Sequence, residues 1–530
     1  MGTLRDFTKP GRSVAIAEHG MAATSHPLAT LAALDMLRTG GNAVDAAIAA
    51  VAVQAVVDPH MTGIGGDCFY LYAPRAGKPI AFNGSGRAPA GAEIDWYLEK
   101  GFNAIPDLSP HCVTIPGAVD AWCRLSADHG TKSLDEVFAP AIRAAEEGFA
   151  ITPRVAGDWS RFAGRVAAHE AAAKVYLPSG KAPSVGDKLR HPALGRMLRR
   201  IAREGRKAFY EGEVAEELAA CLAGLGGFHT VADFAEHSAN YVDPISATYR
   251  GHELFECPPN GQGLAALLIV RILEGFDLGS TALSEADRIH LHAEATKAAY
   301  RLRDQLVADP DHQPLDIDKL LSDASIARLR APITLDKAQE ASVWDGPTHR
   351  DTIYLCVVDK DRNAISFINS LFSAFGSGIY APNSGVLLQN RGTGFRVERG
   401  HRNAIAPRKR PLHTIIPGML SRNGRAVMPF GVMGGQFQAA GHAHFLSQML
   451  DRGDDPQQAS DRPRSFSIDG VLSLETTIPE SVFADLTRRG HRTAWAPDPL
   501  GGCQAILIDE ARGVLMGGSD HRKDGMALGY

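Results

Sequence analysis

Two hydroxyl residues and a pair of glycines are the groups in this sequence whose types and spacing suit acyl transfer. The run Thr352-Ile-Tyr-Leu-Cys-Val-Val358 is rich in β-branched and aromatic residues and predicts a buried strand. Asp359-Lys-Asp-Arg-Asn363 supplies turn residues, and Ala364 to Ser370 returns as a second strand. A hairpin centred on Asp361 places Thr352 and Ser370, each nine residues from the centre, opposite one another. On geometry alone this is an ordinary cross-strand hydroxyl pair. The same arrangement would also hold a nucleophilic threonine by a neighbouring hydroxyl. Gly434-Gly435 lies between a strand over Ala426 to Phe430 and a helix expected from near Ala440. Adjacent glycines there make either a plain strand-to-helix turn or a place where backbone N–H groups converge on an anion, as a tetrahedral intermediate needs.

Such groups require a rigid frame. Ser13 to Ala17 carries a short strand signal, and Pro27 to Arg38 has helical composition that Gly40-Gly41 interrupts. A second helix starts after Asn42, a good N-cap residue, and from Ala46 to Val57 it is apolar on nearly every face. A helix without a polar face must be covered on more than one side, so a layered fold follows. Cys68 to Tyr72 and Pro79 to Phe82 read as strands. Helices are expected around Ala118 to Asp128, Leu134 to Glu147 and Glu211 to Ala223. Arg161 to Ala193, rich in Ala, Arg, Lys, Gly and Ser, reads as a surface excursion. Leu283 to Arg303 is an amphipathic helix, and Pro314 to Glu340 alternates short helical pieces with Asp and Pro. His290 and His292 stand at i and i+2 on that helix, pointing to different faces; they cannot chelate one metal together and read as solvated or capping residues. Gly63-Ile64-Gly65-Gly66 is followed by Asp67-Cys68 rather than the Lys-Ser/Thr of a phosphate loop, which makes it a tight structural turn.

Composition removes whole classes of function. A chain of 530 residues that is 45% apolar and 22% charged folds into a globule. Sixty acidic against 55 basic side chains give a net charge of −5, so no field attracts a phosphate backbone and nucleic acid is not expected as a partner. The longest apolar run ends at Val57 and contains Gln54, short of the roughly 20 residues that cross a bilayer, so no membrane span is expected. Asp6, Lys9 and Arg12 occupy the place of a signal peptide's apolar stretch, which points to a cytoplasmic protein. Seven cysteines without a CxxC pair predict reduced, buried thiols and no zinc site, and no metal or other cofactor is called for. Homo-oligomer formation is compatible with the sequence.

The segments GGNAVDAAIAAVAVQAVVDPHMTGIGGD, VTIPGAVDAW, AIRAAEEGFAITPR, FYEGEVAEEL and DPISATYRG resemble the γ-glutamyltranspeptidase family of N-terminal-nucleophile hydrolases. So do DTIYLCVVDKDRNAISFINSLFSAFGSGI, PRKRPLHTIIP, GVMGGQ and GGSDHRKDGMALGY, and all run in family order from about residue 13 to 530. The resemblance implies an α/β fold, a four-layer αββα sandwich with two stacked sheets between helical layers. It also implies a precursor that cuts itself between Asp351 and Thr352 into a large fragment, 1–351, and a small one, 352–530, which together form one structural domain. Self-cleavage is chemically coherent: a threonine hydroxyl is a poor nucleophile at neutral pH, and a free α-amine with a pKa near about 8 is its general base. By the same resemblance Ser370 is the hydroxyl that fixes Thr352, and Gly434 and Gly435 are the oxyanion hole.

Recognition of a γ-glutamyl group needs a cation for its α-carboxylate and anions for its α-ammonium. Aligned on the family motifs, the carboxylate-binding arginine falls on Ser85, the ammonium-binding aspartate on Gly394, an asparagine on Phe372 and paired serines on His413 and Thr414. Arg87, Arg391 and His413 are the basic candidates that remain, with Ser85 and Thr414 beside them. A pocket of this kind suits a small anionic amide without an ammonium group, and it resembles the oxamate amidohydrolase branch of the family. A γ-glutamyltransferase or glutathione hydrolase with a rearranged pocket, or a non-catalytic member, are the alternatives.

Overall fold

The apolar helix sets the layering. In the computed structural model, which describes Arg5 and residues 11–340 and 352–530, it runs over Ala43–Val57 with every side chain buried. Asn42 caps it by accepting the Val44 and Asp45 N–H groups, while the Asp45 carboxylate accepts the Asn42 N–H. One side of this helix packs on the helices Pro27–Arg38 and Leu134–Glu147, and the other on the strands Ile353–Val358 and Ala364–Ser370.

Those strands lie at the centre of a seven-stranded antiparallel sheet, ordered Met526–Gly529, Met21–Thr24, Ile353–Val358, Ala364–Ser370, Asp67–Ala73, Ile80–Gly84, Asn240–Val242. A second sheet of seven antiparallel strands is ordered Ala15–Ala17, Val514–Ser519, Gly502–Asp509, Arg425–Met433, Gly418–Arg422, His252–Glu256, Ile245–Tyr249. Both sheets combine strands from before residue 341 with strands from after residue 351.

Three apolar clusters complete the sandwich. Phe69, Leu71, Tyr354, Cys356, Ile368, Met419 and Ile506 fill the space between the sheets. Ile353, Leu355 and Val357 face the Ala43–Val57 side, and Phe430 and Val432 of the second sheet face the helices Gly263–Leu273 and Gln438–Leu450. The fold is thus the four-layer αββα sandwich expected above. Alternate residues of Ile353–Val358 enter two different cores, which is why the strand reads as an unbroken apolar run and why its register cannot slip by one.

Three sequence expectations are corrected. The stretch Arg161 to Ala193 is no mere surface excursion: within it Val166, Ala172, Tyr176, Leu177 and Leu189 are buried, and the helix Pro153–Ala167 also buries Trp159. Its buried apolar residues are spread over two helices and a short strand and diluted by Arg and Ala, which hides them from a composition count. His290 is buried and His292 half-buried rather than solvated, because both belong to polar networks between elements. The helix that carries them spans Glu285–Leu306. Among the described residues no helix is long and apolar enough to cross a membrane. All seven cysteines are free, five fully buried and Cys123 and Cys221 half-buried.

Because Ile353–Val358 takes its hydrogen bonds from Met21–Thr24 on one edge, and Ala364–Ser370 from Asp67–Ala73, residues 352–530 lack the partners for their own central hairpin. A chain of residues 352–530 produced alone is expected to show no cooperative thermal transition, and coproduction with residues 1–351 should restore one. A cooperative transition in the isolated small fragment would contradict this account of the sheet.

Candidate active site

The hairpin pairs Ile353 with Asn369 through Val358 with Ala364, the register expected from a turn centred on Asp361. One step further, the Oγ atoms of Thr352 and Ser370 stand 3.1 Å apart, both side chains fully buried. Ser370 Oγ also accepts the Phe372 N–H at 2.9 Å, so its own O–H can be shared with Thr352. Phe372 has φ 81°, a left-handed conformation that costs a bulky residue about 1–3 kcal/mol. The Arg391 guanidinium lies 4.3 Å from the centre of its ring, a contact that helps hold the turn. Asp351 lies outside the described residues.

The glycine turn before Asp67 does more than reverse the chain. A Cβ on Gly66 would sit 2.3 Å from the Ser370 carbonyl oxygen, and one on Gly65 2.1 Å from that of Leu387, so only glycine lets this loop press against the strand end. Asp67 then opens its strand directly opposite Ser370. Its carboxylate is fully buried and accepts the Gly86 and Gly117 N–H groups, Gln389 Nε2 at 2.9 Å and His413 Nε2 at 3.0 Å, with Arg391 Nε at 4.0 Å. Burial by itself would raise the Asp67 carboxyl. The hydrogen bond from His413, the Arg391 charge and Gln389 together hold it below its ordinary value. Sequence reading passed over Asp67; its signal was an acid at a strand start next to a glycine turn.

Arg391 begins the short helical turn Arg391–Gly394 and is fully buried. One terminal nitrogen donates to Thr414 Oγ1 at 3.0 Å, while Nε and the other terminal nitrogen have no hydrogen-bond partner among the described residues. Burial pulls this guanidinium below its ordinary pKa, and Asp67 opposes the shift. Unsatisfied buried donors on a cation are costly, and a carboxylate ligand would complete them.

Of the other candidates, His413 and Thr414 adjoin Arg391 but Ser85 and Arg87 are engaged elsewhere. Burial, with Arg391 adding to it, pushes His413 down to about 4, so at neutral pH it is an uncharged donor to Asp67 and not a cation. Its Nδ1 accepts the Ile415 N–H. Ser85 is buried and bonds Asn83 Oδ1 at 2.6 Å. Arg87 pairs with Asp309 at 3.2 Å and Asp311 at 2.8 Å and donates to the Arg408 carbonyl, in a surface recess with Asp233, Glu236 and His312. The structure therefore groups Arg391, Thr414 and His413 around Asp67 and leaves Arg87 in a structural ion pair.

Gly434 and Gly435 follow the strand Arg425–Met433 with φ 123° and 59°, and a turn of three residues leads into the helix Gln438–Leu450. Side chains from the first 340 residues brace this turn. Gln262 Nε2 donates to the Gly435 carbonyl at 3.1 Å and the Thr414 carbonyl at 2.7 Å. Arg303 donates to Gln262 Oε1 at 2.7 Å and Gln436 Oε1 at 2.6 Å, and the Tyr300 hydroxyl bonds the Gln436 carbonyl. Sequence reading missed all three, since nothing in their spacing marks them. A cleft of about 700 Å³, lined by Ser373, Ala374, Gly434, Gln436, Phe437 and Phe466 among others, opens beside the glycine pair. The arrangement can hold a hydroxyl nucleophile, an oxyanion and a carboxylate.

Comparison with known proteins gives this geometry a context. A family model described as gamma-glutamyltranspeptidase matches residues 29–530. The chain is similar to a glutathione hydrolase-like YwrD proenzyme of Bacillus subtilis, 36% identical over 96% of this chain and 98% of the relative. It is also similar to an oxamate amidohydrolase proenzyme of Klebsiella pneumoniae, 34% identical over 97% and 99%. Among solved structures, a cephalosporin acylase from Bacillus halodurans superposes with a TM-score of 0.93 at 38% identity, covering 100% of this chain and 99% of that one.

If the Gly66 turn positions the Ser370 strand end, Gly66→Ala should destabilise the protein by about 1–3 kcal/mol through overpacking. Gly157→Ala, on an exposed helix face with nothing within 4 Å, should be neutral or stabilising. Urea unfolding of both variants decides it; equal stabilities would sink the positioning role of the turn.

Proposed function

Because the chain belongs to the gamma-glutamyltranspeptidase family, whose acylase and amidohydrolase members make it an amide-hydrolysing enzyme, we propose that it is a self-processing N-terminal-threonine amidohydrolase acting through Thr352. Its substrate is a small amide whose acyl part carries a carboxylate held by Arg391. The observation that carries this reading is the buried Arg391 guanidinium with two unpartnered nitrogens beside Thr414 and Phe372.

In maturation the Thr352 hydroxyl attacks the Asp351 carbonyl carbon, the peptide nitrogen leaves as the Thr352 amine, and water hydrolyses the resulting ester. The products are an Asp351 carboxylate on residues 1–351 and a free α-amine on residues 352–530. Relatives named as proenzymes support this step. The amine then takes the Thr352 hydroxyl proton as Oγ attacks the substrate amide. N–H groups at Gly434 and Gly435 stabilise the oxyanion, the amine product departs with a proton, and water releases the acyl group. Ser370 shares its hydroxyl with Thr352 throughout.

The carboxylate beside Arg391 is Asp67, and Asp67 is already surrounded by donors, so a substrate ammonium has no counter-charge there. That favours a short carboxylate amide such as oxamate over a γ-glutamyl compound, in line with the oxamate amidohydrolase relative. Its ammonia product would serve nitrogen salvage in the cytoplasm. The cleft of about 700 Å³ beside Gly434 favours a second reading in which the departing amine is bulky, as the cephalosporin acylase likeness suggests.

Thr352→Ala should block conversion of the full chain to two fragments, since it removes the oxygen that starts the acyl shift. Denaturing electrophoresis with N-terminal sequencing reads this out, and a small fragment beginning elsewhere than Thr352 would overturn the assignment. In an amide panel followed by released amine or ammonia, short carboxylate amides should outrun γ-glutamyl anilides. Arg391→Ala should lower kcat/KM on them by about ten- to hundredfold, the worth of a charge-assisted contact, while self-cleavage persists. Efficient γ-glutamyl turnover without hydrolysis of short amides would restore the glutathione hydrolase reading.

A further inference from the structure

The helix Glu285–Leu306 carries a row of side chains that no step above uses. His290, Glu294, Lys297 and Arg301 recur at spacings of four, three and four residues, which places them on one face. Each reaches the same segment, the last described residues before position 341. His290 Nε2 bonds the Thr334 carbonyl at 2.7 Å, and Glu294 Oε2 accepts the Gln339 N–H at 3.1 Å. Lys297 Nζ donates to the Gln339 carbonyl at 2.8 Å and pairs with Glu294 at 2.7 Å, and Arg301 donates to the Glu340 carbonyl at 3.3 Å. From the other side, Arg489 donates to the Leu335 carbonyl, accepts the Ala338 N–H and pairs with Asp287 of the same helix.

His290, Glu294 and His491 could be taken for a cation site, because their ligand atoms lie within 4.8 Å of one another. The atoms are already engaged. His290 Nδ1 and His491 Nε2 share a hydrogen bond at 2.8 Å, and the Lys297 ammonium already occupies Glu294. Burial, with Lys297 adding to it, holds His491 down to about 3, so the imidazole is neutral. A buried lysine–glutamate pair between two backbone groups is expensive to desolvate, and a well-packed apolar contact would hold the helix at least as firmly. What the polar set supplies is a fixed address for the backbone of residues 334–340.

The same helix also serves the glycine turn. Tyr300 and Arg303, one and two residues from Arg301 and on other faces of the helix, are the residues that brace Gln436 next to Gly435. Along the helix axis, at about 1.5 Å of rise per residue, Arg301 and these two bracing residues lie within one turn of each other. Only residues 341–351 separate the anchored segment from Thr352. We propose that His290, Glu294, Lys297 and Arg301 form a clasp that positions the chain ahead of Thr352 for self-cleavage, as positioning residues for maturation and not for turnover. This rests on the self-cleavage reading above.

The test separates maturation from catalysis in the full chain. Glu294→Gln combined with Lys297→Met removes the ion pair without stranding a buried charge. The rate of conversion to two fragments should fall on the order of ten- to hundredfold, the effect of a misplaced reacting group. The matured fraction should hydrolyse its amide with unchanged kcat, and Lys297→Arg should recover part of the conversion rate. Arg301→Ala, on the exposed side of the clasp, should slow conversion by about two- to tenfold, one hydrogen bond's worth, and serves if the double variant does not fold. Conversion at the wild-type rate in a folded variant would overturn the clasp, as would a fall in kcat that matches the fall in conversion. Failure of the wild-type chain to convert would instead strike the self-cleavage reading itself.

Discussion

The antiparallel register of Ile353–Val358 against Ala364–Ser370 governs the position of every group around Thr352. Both faces of the first strand are buried, one against the Ala43–Val57 helix and the other between the sheets, so a slip of one residue would exchange two cores and is forbidden. Register in turn brings Ser370 to Thr352, and the next strand brings Asp67 to Ser370. From Asp67 the order passes to Gln389, His413 and Arg391. A single pairing decision, made by apolar residues far from any chemistry, thus positions the hydroxyls and the buried charges together.

Those charges are held at a cost. A fully buried carboxylate with a guanidinium 4.0 Å away is no better for stability than well-packed apolar side chains, and two nitrogens of Arg391 have no hydrogen-bond partner among the described residues. Four donors on Asp67 and a neutral His413 saturate the anion, which leaves the cation as the group with capacity to spare. In the proposed function that spare capacity is what the substrate carboxylate meets. The Gly434-Gly435 turn is stiffened differently, by Gln262, Tyr300 and Arg303, so residues before position 341 brace both halves of a site whose proposed nucleophile lies after it.

Much of this was legible in the residues. The β-branched, aromatic strand and its Asp-rich turn predicted the hairpin to the residue, because turn chemistry and strand composition agree there. The all-apolar helix announced the layers. What could not be read was which of several basic residues is satisfied by neighbours distant in sequence. Arg87 meets Asp309 and Asp311 across more than 200 positions, and His413 is neutralised by burial, neither of which leaves a local pattern. Asp67 and Gln262 were invisible for the same reason: their roles come from converging loops. The Arg161 to Ala193 stretch was misjudged because composition, averaged over a window, concealed a few well-buried apolar residues among many polar ones.

The central claim is that Thr352 carries the acyl group during turnover. Rapid quenching of the matured protein in the presence of a short carboxylate amide, followed by intact mass and peptide mapping of the small fragment, tests it directly. The account predicts a mass increase equal to the acyl group on the peptide that begins with Thr352. Turnover accompanied by no adduct, or by an adduct on any other residue, would contradict it.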